Sequence, residues 1–270
     1  MMEPAVAGVI GWPIKHSKSP LIHRFWLEKL GLDGDYSRFP VAPGHLGEFI
    51  RGLPAMGVRG VNVTVPHKLA VMPHLDALAP GAAAVGAVNT IIVSADGRLT
   101  GHNTDVTGIT GPAGAALVGR RMLLIGSGGA ARAAAAAAVA AGASSLWIMA
   151  RNLDAAGDLL AATGLPGGVM AMGDPLPDTI GLVFNATTLG MTGQPPLTLD
   201  LSALPVDAVV FDAVYAPLAT PLLLMARARG LATVDGLAML ISQAAEAFQL
   251  FFGAQAPREH DAELRALLTR

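Results

Sequence analysis

Apolar and polar positions follow two alternating periods along this chain. In VNVTVPHK, Val61, Val63 and Val65 alternate with Asn62 and Thr64, a period of two that predicts a strand with one polar face, stopped at Pro66. AVAGVI (5–10) and YSRFPV (36–41) read as further strands, while PLIHRFWLEKLGL (20–32) and GHLGEFIRGLPAMG (44–57) space their apolar residues as helices do. AVNTIIVSADGRLTGHNTD reads as a hairpin turning at Asp96-Gly97. The pattern restarts at MLLIGSGGAARAAAAAAVAAG with a strand, a glycine turn and a helix. SLWIMARN, GLVFNATT and VDAVVFDAVY are strand-like, and DAAGDLLAATG and TPLLLMARARG are helical. Leu237 to Phe252 forms a long amphipathic helix, and a last helix runs towards Arg270. Strands alternating with helices predict an α/β fold with mostly parallel sheets covered on both faces. A domain boundary falls within 105–119, just ahead of the second βα series.

The chain has 270 residues, 52% of them hydrophobic and 14% charged, which suits two modest domains or one large one. The net charge is -2 and no long basic run exists, which argues against nucleic acid or an anionic membrane as partner. There is no cysteine, so disulfide and thiol chemistry are excluded. AVAGVI follows Glu3 rather than basic residues and is too short for a secretion signal, and the alanine run 133–143 falls short of a membrane span. A cytoplasmic enzyme-like protein is expected, with a homodimer allowed.

The glycine turn narrows the chemistry. Gly126-Ser127-Gly128-Gly129-Ala130-Ala131 fits G-x-G-x-x-G/A, and it sits between a strand and a helix as a dinucleotide site requires. Gly126 permits the tight turn, Gly128 admits a pyrophosphate to the backbone amides, and Ala131 allows close helix packing. An NAD site carries a carboxylate at the tip of the next strand; Ala150-Arg151-Asn152 stands there instead. Arg151 suits a 2′-phosphate, so the expected cofactor is NADP, with Asn152 capping the following helix and Asp154 in its first turn.

Polar residues also gather at segment ends in the N-terminal region. Ser17 and Ser19 precede a helix opened by Pro20; one serine explains an N-cap, and the second leaves a pair of hydroxyls able to cradle a carboxylate. Asn62, Thr64 and Lys68 mark either a strand with one wet face or the rim of a ligand site. Asn89 and Asp105 read as turn formers or as ligand groups. No metal-ligand spacing and no Gly-x-Ser-x-Gly elbow appears.

Taken together, HSKSP, NVTVPHK, GAVNT, NTD, GSGGAAR, NATTLGM, FDAVYAPLATPLL and DGLAMLISQAAEAF resemble the shikimate dehydrogenase family, in family order across nearly the whole chain. The resemblance implies an N-terminal α/β substrate domain (1–104 plus 238–270), a Rossmann dinucleotide-binding domain (105–237) and an active site in the cleft between them. It implies reversible reduction of 3-dehydroshikimate to shikimate by NADPH, a step of aromatic amino-acid biosynthesis. By the same resemblance Lys68 is catalytic and paired with Asp105. Thr64, Asn89 and Gln243 hold ring hydroxyls, Ser17 and Ser19 the carboxylate, and Tyr215 lies beside the substrate. Asn185, Thr187, Gly236 and Met239 border the nicotinamide, and Asn62 supports the loop.

The chemistry is coherent without the family. Hydride transfer to a carbonyl leaves an alkoxide, which a lysine ammonium stabilises and protonates. The oxidation direction needs the lysine as base and is expected to quicken in alkali. Three positions depart from the family pattern: Val106 replaces a glycine, Ala150-Arg151-Asn152 replaces Asn-Arg-Thr, and Ala155 stands where a second basic residue often follows. They leave room for NAD beside NADP. The alternatives are a quinate/shikimate dehydrogenase using NAD, against which Ser19 rather than threonine speaks, and a non-catalytic sensor, which need not keep Lys68 and Asp105.

Overall fold

The computed structural model describes residues 5–270. The chain divides into two compact units: the first takes it up to Thr104 and again from Gln243 to Arg270, and the second is Asp105–Ser242.

The first unit begins β1 (Ala5–Gly11), α1 (Ser19–Leu30), β2 (Gly34–Pro40), α2 (Leu46–Gly52) and β3 (Gly60–Val63). It continues β4 (Ala77–Leu78), α3 (Pro80–Val85), β5 (Thr90–Val93) and β6 (Leu99–His102). Its sheet has the order β2-β1-β3-β5-β6-β4. β1 runs parallel to both β2 and β3, and the β5–β6 hairpin adds the antiparallel pairs. One face carries Ile10, Leu46, Ile50, Val61, Val63 and Ile91. The other carries Ala7, Val9 and Tyr36 against Ala247 and Phe251. Burial on both faces is why β3 has no wet side: all four of its residues are buried, Asn62 included. The expected wet-faced strand reaching Val65 is therefore corrected to Gly60–Val63. His23 of α1 stacks flat on Tyr36 of β2, ring centroids 4.0 Å apart, in a nest with Trp26, Phe248 and Phe251.

The second unit runs α4 (Asp105–Ala113), β7 (Arg121–Ile125), α5 (Gly129–Ala140), β8 (Ser145–Met149), α6 (Leu153–Thr163) and β9 (Gly167–Met170). Then come β10 (Ile180–Asn185), β11 (Val209–Asp212), α7 (Pro221–Ala228), β12 (Ala232–Val234) and the start of α8 (Gly236–Phe252); α9 (Asp261–Leu268) belongs to the first unit. All six strands are parallel, in the order β12-β11-β10-β7-β8-β9. Counted from β7, that is the 3-2-1-4-5-6 order of a dinucleotide-binding sheet, whose direction of winding reverses between β7 and β10. α5 is nearly all alanine, so it lies close on the sheet with Ala131, Ala134, Ala135 and Ala138 buried.

The segment expected to serve as a domain boundary is helical, as α4, despite its glycines and Pro112. The second crossing between units falls inside α8, between Ser242 and Gln243, rather than between 237 and 238. Gln243, Ala247 and Phe251 engage the first unit, whereas Gly236 packs on the end of β11.

Candidate functional site

In the first unit, the parallel strands β1 and β3 end side by side and release two loops. Backbone bonds lace them: Thr64 N–H donates to Ile10 O at 3.0 Å, and Trp12 N–H to Val65 O at 3.1 Å. The first loop carries Ser17 and Ser19, whose hydroxyls are 3.3 Å apart. Neither is the N-cap. Lys18 holds that position without a side-chain cap, and Ser19 is the first helical residue. Ser17 Oγ nevertheless accepts from Ser19 N–H at 3.3 Å, so one serine does serve the first amide of α1, from a place one residue ahead of the N-cap, and the two hydroxyls lie side by side there.

The second loop carries half-buried Thr64 and Lys68. The carbonyl of Lys68 accepts from Val88 N–H at 2.9 Å, which sets the lysine's backbone next to Asn89. Asn89 is buried; its Oδ1 accepts from Thr104 N–H at 2.8 Å, and its Nδ2 donates to Thr104 Oγ1 at 3.0 Å. Thr104 Oγ1 in turn lies 3.3 Å from Gln243 Oε1. Four of the polar residues named from sequence, Thr64, Lys68, Asn89 and Gln243, are thus joined through strand ends and one threonine. Asp105, the next residue after Thr104, is buried and opens α4.

Asn62 answers to a different need. Its Oδ1 accepts from Tyr36 Oη–H at 2.6 Å, and its Nδ2 donates to Thr90 Oγ1 at 2.8 Å and Asn89 O at 3.2 Å. It supports the loop and shields the Tyr36 hydroxyl, whose pKa is pushed up by burial against a lowering bond from Ser19.

In the second unit, the reversal of winding opens between the loops after β7 and β10. Gly126 has φ +111°, and a Cβ there would lie 3.1 Å from Thr187 Cγ2, so the turn needs glycine. A Cβ on Gly128 would meet nothing within 4 Å, so its backbone faces open space. Gly128 is the N-cap of α5 and has no side-chain cap, and no acidic residue stands in the first turn. The first amides of α5, at Gly129, Ala130 and Ala131, therefore point at an electropositive, sterically open end, with Ser127 in the turn before them. These features fit a dinucleotide pyrophosphate. Arg151 is exposed at the tip of β8, and Asn152 beside it caps α6, accepting from Ala155 N–H at 3.0 Å.

Asn185 requires a correction. It is 0% exposed, and both ends of its amide are engaged. Nδ2 donates to Asp212 Oδ1 at 2.8 Å and Leu189 O at 3.2 Å, while Oδ1 accepts from Thr187 N–H at 3.0 Å and Thr187 Oγ1–H at 2.7 Å. It has no surface to offer a cofactor and instead shapes the Thr187 loop, which is half-buried. Gly236 and Met239 are buried at the start of α8, and a Cβ on Gly236 would fall 2.3 Å from Ala213 O. Tyr215 is half-buried, its phenol pKa raised by burial.

With this geometry in view, the relatives are informative. The shikimate dehydrogenase substrate binding domain matches residues 9–91, and the shikimate 5'-dehydrogenase C-terminal domain matches 236–263. A shikimate dehydrogenase (NADP(+)) of Sphingopyxis alaskensis is 52% identical over 97% of this chain and 96% of its own. The chain belongs to the shikimate dehydrogenase family. Among solved structures, a shikimate dehydrogenase in complex with NADP+ superposes at TM-score 0.90 with 31% identity, covering 100% of this chain and 98% of that one. The enzyme of Thermus thermophilus, in complex with NADP(H) and shikimate, superposes at 0.86 with 34% identity over 98% and 99%. Membership of the family accords with the six-stranded parallel sheet and its glycine turn. Thr104 and Asp212 escape a reading of the sequence alone; both lie inside motifs that carry the resemblance, NTD and FDAVY, and only the fold reveals what each one binds.

Proposed function

We propose that this chain reversibly reduces 3-dehydroshikimate to shikimate with NADPH, and that Lys68 and Asp105 handle the proton. The observation that carries the activity is 52% identity over nearly the full length to a shikimate dehydrogenase (NADP(+)), on a chain that keeps the glycine turn, Lys68 and Asp105.

Ser17 and Ser19, hydroxyls side by side at the start of α1, bind the substrate carboxylate. Thr64, Asn89 and Gln243 bind ring hydroxyls, and Tyr215 lies beside the ring. The α5 amides and Gly126 to Ala131 hold the pyrophosphate, and Arg151 holds the 2′-phosphate. Thr187, Gly236 and Met239 border the nicotinamide, with Asn185 behind Thr187. NADPH, when bound, supplies the hydride. Lys68 donates its proton to the carbonyl oxygen as negative charge develops there, and in the reverse direction its neutral amine takes the proton from the substrate hydroxyl. Asp105 orients that hydroxyl and the ammonium. No helix among the described residues is long and apolar enough to cross a membrane, and the cysteine-free chain suits the cytoplasm.

The test is an absorbance assay of reduced cofactor. Purified protein given shikimate and NADP+ should form NADPH faster than with quinate, and faster than with NAD+. No turnover of shikimate with either cofactor would overturn the reading, and quinate preferred with NAD+ would replace it with the quinate alternative.

A further inference from the structure

Asp212 ends β11 wholly buried, with no basic partner among the described residues, and is held by hydrogen bonds alone. Its Oδ1 accepts from Asn185 Nδ2 at 2.8 Å and from Val214 N–H at 3.0 Å, and its Oδ2 accepts from Thr220 Oγ1–H at 2.6 Å. Each donor leads somewhere. Asn185 fixes Thr187 through two bonds, and Thr187 packs against the place where Gly126 has no side chain. Val214 O accepts from Gly236 N–H at 3.3 Å, and Tyr215 follows Val214. Thr220 caps α7 by accepting from Leu223 N–H. One carboxylate therefore holds the loop after β10, the turn after β11 and the seat of α8.

We propose that Asp212 is a positioning residue for the cofactor, setting the Thr187 and Val214–Gly236 segments that border the nicotinamide while leaving the adenosine end to the α5 turn and Arg151. The proposal rests on the NADP reading above. An acceptor-only group is required because all three partners donate: Asn185 and Val214 have only N–H to offer here, and the Thr220 oxygen is already used by Leu223. An asparagine at 212 keeps the shape but turns an NH2 towards one of these donors. That leaves a buried bond unmade and frees the corresponding loop.

The experiment is calorimetric titration of full-length protein with NADP+ and, separately, with adenosine 2′,5′-bisphosphate, which lacks the nicotinamide half. Asp212→Asn should weaken NADP+ by about tenfold, the worth of a charge-assisted bond, and move the bisphosphate by less than about twofold. Thr220→Val should act in the same direction more weakly, and Thr220→Ser, which keeps the hydroxyl, should restore wild-type binding. These two also decide the matter should Asp212→Asn fail to fold. Equal weakening of both ligands in the variants, or none, overturns the proposal. Wild-type protein that fails to bind NADP+ overturns the cofactor reading and this proposal with it, whereas normal wild-type binding with unmoved variants overturns this proposal alone.

Discussion

Lys68 and Arg151 are assigned to the two ends of the same reaction, and single substitutions separate them. Lys68→Met removes the proton and charge but keeps the length; kcat should fall by about 10²–10⁴-fold with NADP+ affinity nearly unchanged. Asp105→Asn should lower kcat too, and the double variant should be far less impaired than the product of the single effects, as for residues acting as a unit. Steady-state kinetics on the four forms decide this, and a Lys68→Met enzyme within about fivefold of wild type removes the lysine from the mechanism. Arg151→Ala should raise the KM for NADP+ about tenfold and leave that for NAD+ in place; parallel changes in both would count against a 2′-phosphate contact. Residue types at segment ends single out Lys68, Asp105 and Arg151 as candidates without any fold, and the pairing of Lys68 with Asp105 comes only from the family resemblance. Asn185 and Asn62 are harder, because an amide has the same letter whether it meets a ligand or spends all its bonds inside. Only burial and partner geometry tell the two apart.

At the scale of elements, strong periodicities are legible in the sequence and weak ones are not. β1, β3, β7, β10, α5 and α8 carry long apolar patterns or a glycine turn. β9 and β12 are edge strands of four and three residues, and β9 opens on two glycines. Their pairing comes from the neighbouring strand rather than from local preference. α4 is hidden by three helix-unfriendly residues, Gly108, Gly111 and Pro112, all tolerated because neighbouring structure holds the segment. The caps offer a clean test. Asn152→Ala should lower stability by about 0.5–2 kcal/mol through loss of the α6 cap while leaving the NADP+/NAD+ preference untouched. Denaturant unfolding beside cofactor kinetics checks it, and a change in preference without a change in stability would mean that Asn152 serves the cofactor instead.

For the whole molecule, the aromatic nest around His23 predicts how stability follows pH. His23 is buried, with no hydrogen-bond partner at either ring nitrogen among the described residues, and burial lowers its pKa to about 3 from 6.5. Above pH 6.5 the ring is neutral folded or unfolded, and it contributes no pH dependence. Between 6.5 and about 3 only the unfolded chain takes the proton, so stability falls with falling pH, by at most about 1.4 kcal/mol per unit. His23→Phe should flatten that slope; an unaltered slope in chemical denaturation across this range assigns the acid sensitivity to other groups. The nest also draws on α8, since Phe248 and Phe251 reach His23 from beyond the second crossing of the chain. On the ribosome this imposes an order. The six strands of the first unit are finished by His102, but Phe248 and Phe251 are translated only after the whole of Asp105–Ser242. At ordinary elongation speed that delay is on the order of ten seconds, long compared with the time a small sheet takes to collapse. During it, Ala7, Val9, Tyr36 and Trp26 have α1 beside them but lack the cover of Ala247, Phe248 and Phe251, and the apolar face left open is the kind of surface a chaperone binds. The last helices to be made are the ones that end that exposure.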